Sequence, residues 1–92
     1  MKTLHATISG RVQGVGFRFF VEGEAIRLGL KGWVRNLGGG QVEVLATGEE
    51  ASINQFLSSL RSGPPLSHVT GVEVDWNSPT SEEEFHIRST GW

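Results

Sequence analysis

The chain has 92 residues, a formal net charge of −2 and no cysteine. That length builds one domain, spanning residues 1–92, near the small end of what folds without staples. The missing thiols exclude disulfides, thiolate zinc sites and a cysteine nucleophile, and the acidic balance speaks against a general nucleic-acid binder, which needs a broad basic face. His5, His68 and His86 are scattered without metal-site spacing. Met1 to His5 holds no apolar signal core and no stretch approaches membrane-spanning length, so a soluble cytoplasmic protein is expected. The charge is uneven. Lys2, Arg11, Arg18, Arg27, Lys31 and Arg35 face only Glu22 and Glu24 in residues 1–40, whereas Arg61 and Arg88 are the only Lys or Arg beyond them.

The first predicted strand alternates, with Leu4, Ala6, Ile8 and Gly10 on one face and Thr3, His5, Thr7, Ser9 and Arg11 on the other. His5 is thereby expected to be an exposed strand histidine. The strand ends near Val12, and Gln13-Gly14-Val15-Gly16 forms a glycine-broken turn onto a helix over Phe17 to Leu28. Without Cβ atoms, Gly14 and Gly16 can take positive φ or approach a ligand closely. Unpartnered N–H groups and the helix dipole converge at such a start and favour an anion. Arg18 adds a full charge and a planar fork of donors suited to phosphate oxygens. The rival reading is an ordinary turn with a solvated arginine, since a glycine pair alone is weak evidence. Neither a P-loop ending nor the dinucleotide spacing is present, because position 19 is Phe19.

Phe17, Val21, Ala25 and Leu28 mark the buried face of this helix and Gly29 its C-terminal cap, while Phe19 and Phe20 are expected to pack in the core or at its rim. The second strand, Lys31 to Leu37, puts Gly32, Val34 and Asn36 on one face and Trp33, Arg35 and Leu37 on the other. Asn36 is then either a buried amide in need of partners or the start of the turn through Gly38-Gly39-Gly40. The third strand, Gln41 to Ala46, directs Val42, Val44 and Ala46 inward. A second helix is expected behind a capping box of Thr47 and Glu50, with Ile53, Phe56, Leu57 and Leu60 as its stripe and Gly63-Pro64-Pro65 as its stop. A fourth strand, Val69 to Trp76, alternates Val72, Val74 and Trp76 against Glu73 and Asp75. A polar loop (Ser78 to Glu84) and a short strand from Phe85 to Arg88 complete the chain. The order β-α-β-β-α-β plus a short terminal strand implies an α+β, ferredoxin-like sandwich, an antiparallel sheet with two helices on one face.

Gly10-Arg11-Val12-Gln13-Gly14-Val15-Gly16-Phe17-Arg18 and Gly32-Trp33-Val34-Arg35-Asn36 together resemble the two signature segments of the acylphosphatase family. The resemblance extends through Gly40, Val42 and Gly48 and covers essentially the whole chain. It implies an enzyme that hydrolyses the carboxyl–phosphate bond of acyl phosphates by water attack on phosphorus, without metal or cofactor. The phosphate-binding loop maps onto Gln13, Gly14, Val15, Gly16, Phe17 and Arg18, the catalytic arginine onto Arg18, and the water-positioning asparagine onto Asn36. Many relatives carry an Asp-Gly turn where this chain has Gly38-Gly39-Gly40, a change expected to loosen the hairpin beside Asn36. The expected partners are a small-molecule acyl phosphate and inorganic phosphate, with no nucleic acid, no membrane and a monomeric chain. Two rivals share the fold: a non-catalytic phosphate-sensing domain, and a single-stranded RNA-binding module suggested by Val15 to Val21.

Overall fold

Alternation of apolar and polar residues, clearest in the first and fourth strands, marks the strands, and two helical stripes cover one face of the five-stranded sheet. A computed structural model describes residues 1–77 and 81–91. The elements are β1 (Lys2–Arg11), α1 (Phe17–Arg27), β2 (Lys31–Asn36), β3 (Val42–Gly48), α2 (Glu50–Ser62), β4 (His68–Asn77) and β5 (Phe85–Ile87). The strands lie in the order β4-β1-β3-β2-β5. Leu4, Ala6 and Ile8 of β1, Val34 of β2 and Val42, Val44 and Ala46 of β3 are fully buried. They pack against Phe17, Val21 and Ala25 of α1 and Ile53, Phe56 and Leu60 of α2. At the end of α1, the Leu30 amide donates to the Ala25 carbonyl and the Gly29 amide to that of Ile26, with Gly29 at φ +72°. This is a Schellman cap, and it places buried Leu30 beside Ala25 before β2 begins.

Expectations about the sheet, the cap of the second helix and the end of β1 are corrected. The sheet is mixed rather than antiparallel: β1, β2, β3 and β4 pair antiparallel, whereas β5 pairs parallel to β2 through Gly32↔Phe85 and Val34↔Ile87. The chain reverses direction after β4 and crosses to the opposite edge, where that direction is the one β2 already has. The Thr47–Glu50 capping box does not form. Thr47 is buried within β3, its hydroxyl 2.7 Å from that of Thr3, and Glu49 takes the cap position without a side-chain bond. Gly10 leaves the inward row because a bulge shifts the β1–β4 register between Ser9 and Gly10. Trp76 keeps its face opposite Leu4 but is 52% exposed, since β4 is an edge strand; the Lys2 ammonium lies 4.6 Å from its ring centroid. Ser78, Pro79 and Thr80 of the expected polar loop lie outside the described residues.

The helix-free face is polar and cross-linked. Half-buried His5 donates from Nε2 to Glu43 Oε2 at 2.7 Å, and Arg35 donates from Nε to Glu43 Oε1 at 2.6 Å. His5 is thus a paired residue rather than a freely exposed one. The Trp33 ring is flanked by the guanidinium groups of Arg35 at 5.1 Å and Arg88 at 4.8 Å.

Burial pushes the Glu43 carboxyl up, but the hydrogen bonds from His5 and Arg35 outweigh burial and hold it below the usual carboxylate range. A carboxylate depressed in the folded state stabilises above its unfolded pKa, and that stabilisation is lost as pH falls through the folded value. Glu43→Gln should therefore cost about 2 kcal/mol at neutral pH, by leaving two half-buried donors without their ionised acceptor. It should also flatten the fall in stability on acidification, because the variant has no depressed carboxylate to protonate. Chemical denaturation of both proteins between pH 7 and pH 3 checks this; parallel curves would refute it.

Candidate active site

The site begins where β1 stops. Val12 is buried, and the chain then turns through Gly14 at φ +73° and Gly16 at φ +76°. A Cβ on either glycine would meet no atom within 4 Å. The left-handed backbone, rather than crowding, is what requires glycine there. Gly16 is the N-cap of α1 and offers no side chain to bond the first amides. The first helical bond runs from the Phe20 amide to the Gly16 carbonyl at 3.0 Å. The amides of Phe17, Arg18 and Phe19 precede it and have no acceptor within the helix. The first turn of α1 contains no acidic residue, whereas that of α2 contains Glu50. The positive end of the α1 dipole is therefore left without a counter-charge from its own first turn.

A pocket of about 190 Å³ opens over this terminus, lined by Val12, Gly14, Gly16, Phe17, Arg18, Phe19 and Asn36. Buried Phe17 forms its floor and stacks edge-on with Phe20, ring centroids 6.1 Å apart, so the helix start is anchored in the core. Some cations of the chain are paired, Arg27 with Glu24, Arg35 with Glu43 and Lys2 with Glu50, and of the arginines without an ion pair only Arg18 lines the pocket. Among the described residues no side chain pairs with Arg18, even though Glu22 stands one helical turn away. Its donors are left for whatever enters the pocket.

Asn36 reaches the pocket from the end of β2, on the face shared with Val34, as the period-two pattern places it. Its Oδ1 is buried without a hydrogen-bond partner, the one such side-chain atom among the described residues. An unmet buried acceptor costs about 1–3 kcal/mol, and here it sits in the wall of a cavity large enough for an anion and a water. No group of three or more His, Cys, Asp or Glu suited to a metal ion occurs among the described residues.

The structure thus brings Gly14, Gly16, Phe17, Arg18 and Asn36 around one space. It does not bring Gln13 or Val15 to the pocket wall. Val15 packs against the core, and the Gln13 side chain bonds the carbonyls of Leu37 and Gln41, each at 2.8 Å. Phe19 departs from the expected packing role: it is 71% exposed at the lip of the pocket, while Phe20 packs against the core. The sequence held the signal for this, because Phe17 and Val21 define the buried stripe and position 19 falls off it.

The family model for acylphosphatase matches residues 4–87. An acylphosphatase of Bacillus pumilus is 52% identical over 71 residues, covering 77% of this chain and 79% of the relative. That of Archaeoglobus fulgidus is 47% identical over 87 residues, covering 95% of this chain and 98% of the relative. The crystal structure of acylphosphatase from Bacillus subtilis superimposes with a TM-score of 0.93 at 40% identity, covering 96% of this chain and 99% of that one. No helix among the described residues is long and apolar enough to cross a membrane. Since the family match runs from β1 through β5 and includes both walls of the pocket, the chain belongs to the acylphosphatase family.

Proposed function

We propose that the acylphosphatase activity of this chain is carried by the loop from Gln13 to Arg18 and by Asn36, with the loop holding the phosphoryl group and Asn36 aiming a water at phosphorus. The backbone amides of Gly14 to Arg18 and the Arg18 guanidinium bind the phosphoryl oxygens and stabilise charge in a loose transition state. Asn36 Oδ1 accepts a hydrogen bond from the attacking water and fixes its line of approach. The unpartnered, buried Oδ1 in the pocket wall carries this reading, because an acceptor kept out of bulk solvent and left unfilled by the chain is one that a bound water can complete.

The chemistry suits so sparse a site. Attack forms a new P–O bond to water and breaks the bond from phosphorus to the acyl oxygen. The departing group is a carboxylate, whose parent acid has a pKa of about 4, so it leaves without a general acid. The proton of the water passes to a phosphoryl oxygen of the substrate, and inorganic phosphate is released. The same proposal takes the protein to be a cytoplasmic monomer with no nucleic-acid partner. The net charge of −2 supports the last point, as do Phe19 and Phe20, which lie on α1 and not on a central strand where an RNA-stacking platform would need them.

Arg18→Ala should lower kcat/KM for benzoyl phosphate by about 10³-fold or more, with Arg18→Lys restoring little, because a point charge does not replace a bidentate fork. Near-normal turnover by the lysine variant would remove the fork from the mechanism. Asn36→Ala should lower kcat by about a hundredfold while competitive inhibition by phosphate persists unchanged; loss of that inhibition would make Asn36 a phosphate ligand instead. Phe19, at the lip, is placed to contact the acyl portion of the substrate. Phe19→Ala should raise KM for benzoyl phosphate by about threefold to tenfold, the range of one aromatic contact, and leave acetyl phosphate nearly unaffected. Equal effects on both substrates would show that Phe19 contacts only the common phosphate end.

A further inference from the structure

We infer that Gln13 is a positioning residue: its side-chain amide ties the phosphate-binding loop to the hairpin that carries Asn36. This rests on the reading of Asn36 as the group that orients the water. Gln13 Nε2 donates to the Leu37 carbonyl and to the Gln41 carbonyl, each at 2.8 Å. These two residues close the mouth of the β2–β3 hairpin, where the Leu37 amide donates to the Gln41 carbonyl at 2.8 Å. Both hydrogens of the Gln13 amide are thereby engaged. Only Oε1 is left, an acceptor that a phosphoryl oxygen would repel. Gln13 thus belongs to the loop by position but does not bind phosphate through its side chain.

The hairpin has reason to need such a clamp. Its turn is Gly38-Gly39-Gly40, and three successive glycines carry the largest backbone entropy a turn can lose on ordering. Within the turn only one bond closes, from the Gly40 amide to the Leu37 carbonyl at 3.2 Å. Gln13 bonds the same carbonyl from outside. Gln41 is held in turn by its own side chain, which donates to Ser9 Oγ of β1 at 3.0 Å. On the other edge the Gly91 amide donates to the Asn36 carbonyl at 2.8 Å, and the Gly38 amide donates to the Gly91 carbonyl at 2.9 Å. The peptide carrying Asn36 is therefore gripped between the Gln13 side and the C-terminal segment. Asn36 Oδ1 makes no bond of its own, so the backbone is what sets where it points.

The clamp fixes Asn36 against the very loop that holds the phosphoryl group, and a misplacement of about 1 Å can cost a hundredfold in rate. Gln13→Ala should lower kcat for benzoyl phosphate by about tenfold to a hundredfold, while the inhibition constant of inorganic phosphate stays within about twofold. In an Asn36→Ala background the same substitution should cost less than about twofold more, because the two residues act as one unit. Should Gln13→Ala melt below the assay temperature, Gln13→Met keeps the length and packing, loses only the donors, and should give the same split.

Unchanged kcat in a folded Gln13 variant would overturn the clamp, as would additive losses in the double variant. A rise in the phosphate inhibition constant matching the loss of activity would instead make Gln13 a ligand. If Asn36→Ala itself leaves kcat intact, it is the water-orienting role that fails; if Asn36→Ala is impaired and Gln13→Ala is not, only the clamp fails.

Discussion

The organising constraint is the uncapped start of α1. Three amides face outward with no acceptor, the residue before them is a left-handed glycine with no side chain, and no acid stands in the first turn. A helix end in that condition is normally stabilised by a capping side chain or a carboxylate. Here neither is supplied, and Arg18 increases the positive charge instead. The arrangement favours a chain that meets its missing negative charge from outside, which is what a phosphate binder requires.

Rigidity has to come from elsewhere, because the loop makes few bonds to itself. Phe17 provides it from below: buried and in edge contact with Phe20, it seats the helix start in the core formed by both helices and three central strands. Val12 does the same for the end of β1. The loop is thus short, fixed at both ends by buried side chains, and free of side-chain bulk only at Gly14 and Gly16. Preorganisation of this kind lets amide dipoles act on developing charge without first having to reorient.

The two faces of the sheet divide the labour. The helix-facing side supplies the core and, at its end, Asn36. The other side is held by charge, with Glu43 shared between His5 and Arg35 and with Trp33 flanked by two guanidinium groups. Glu43 lies on β3 directly opposite Arg35 and Thr7, one register position from the pair Asn36↔Val42. The polar face therefore buttresses the same end of β2 that bears the asparagine. Arg18 and Arg35 show the contrast between the two uses of a guanidinium: one satisfied by a carboxylate of the chain, the other left for a ligand.

Local rules determined much of this from the residues alone. Alternation located the strands and the face of Asn36, the 3.6-residue stripe located both helices, and Gly29 marked its Schellman cap, because each depends only on neighbours within a few positions. The turn at Gly14 and Gly16 and the place of Arg18 at the helix start were legible too, and these residues line one pocket. Tertiary structure alone decided the rest. Thr47 lies in β3 rather than at a helix cap, paired in register with Thr3 of β1 and Lys31 of β2, its hydroxyl beside that of Thr3, 44 positions away. The terminal strand became parallel through the path the chain takes between sheet edges. The Gln13 side chain was turned away from the pocket toward two carbonyls of a distant hairpin. Each of these is a choice between partners that sequence spacing treats as equal, and only the packed fold makes one of them near enough to win.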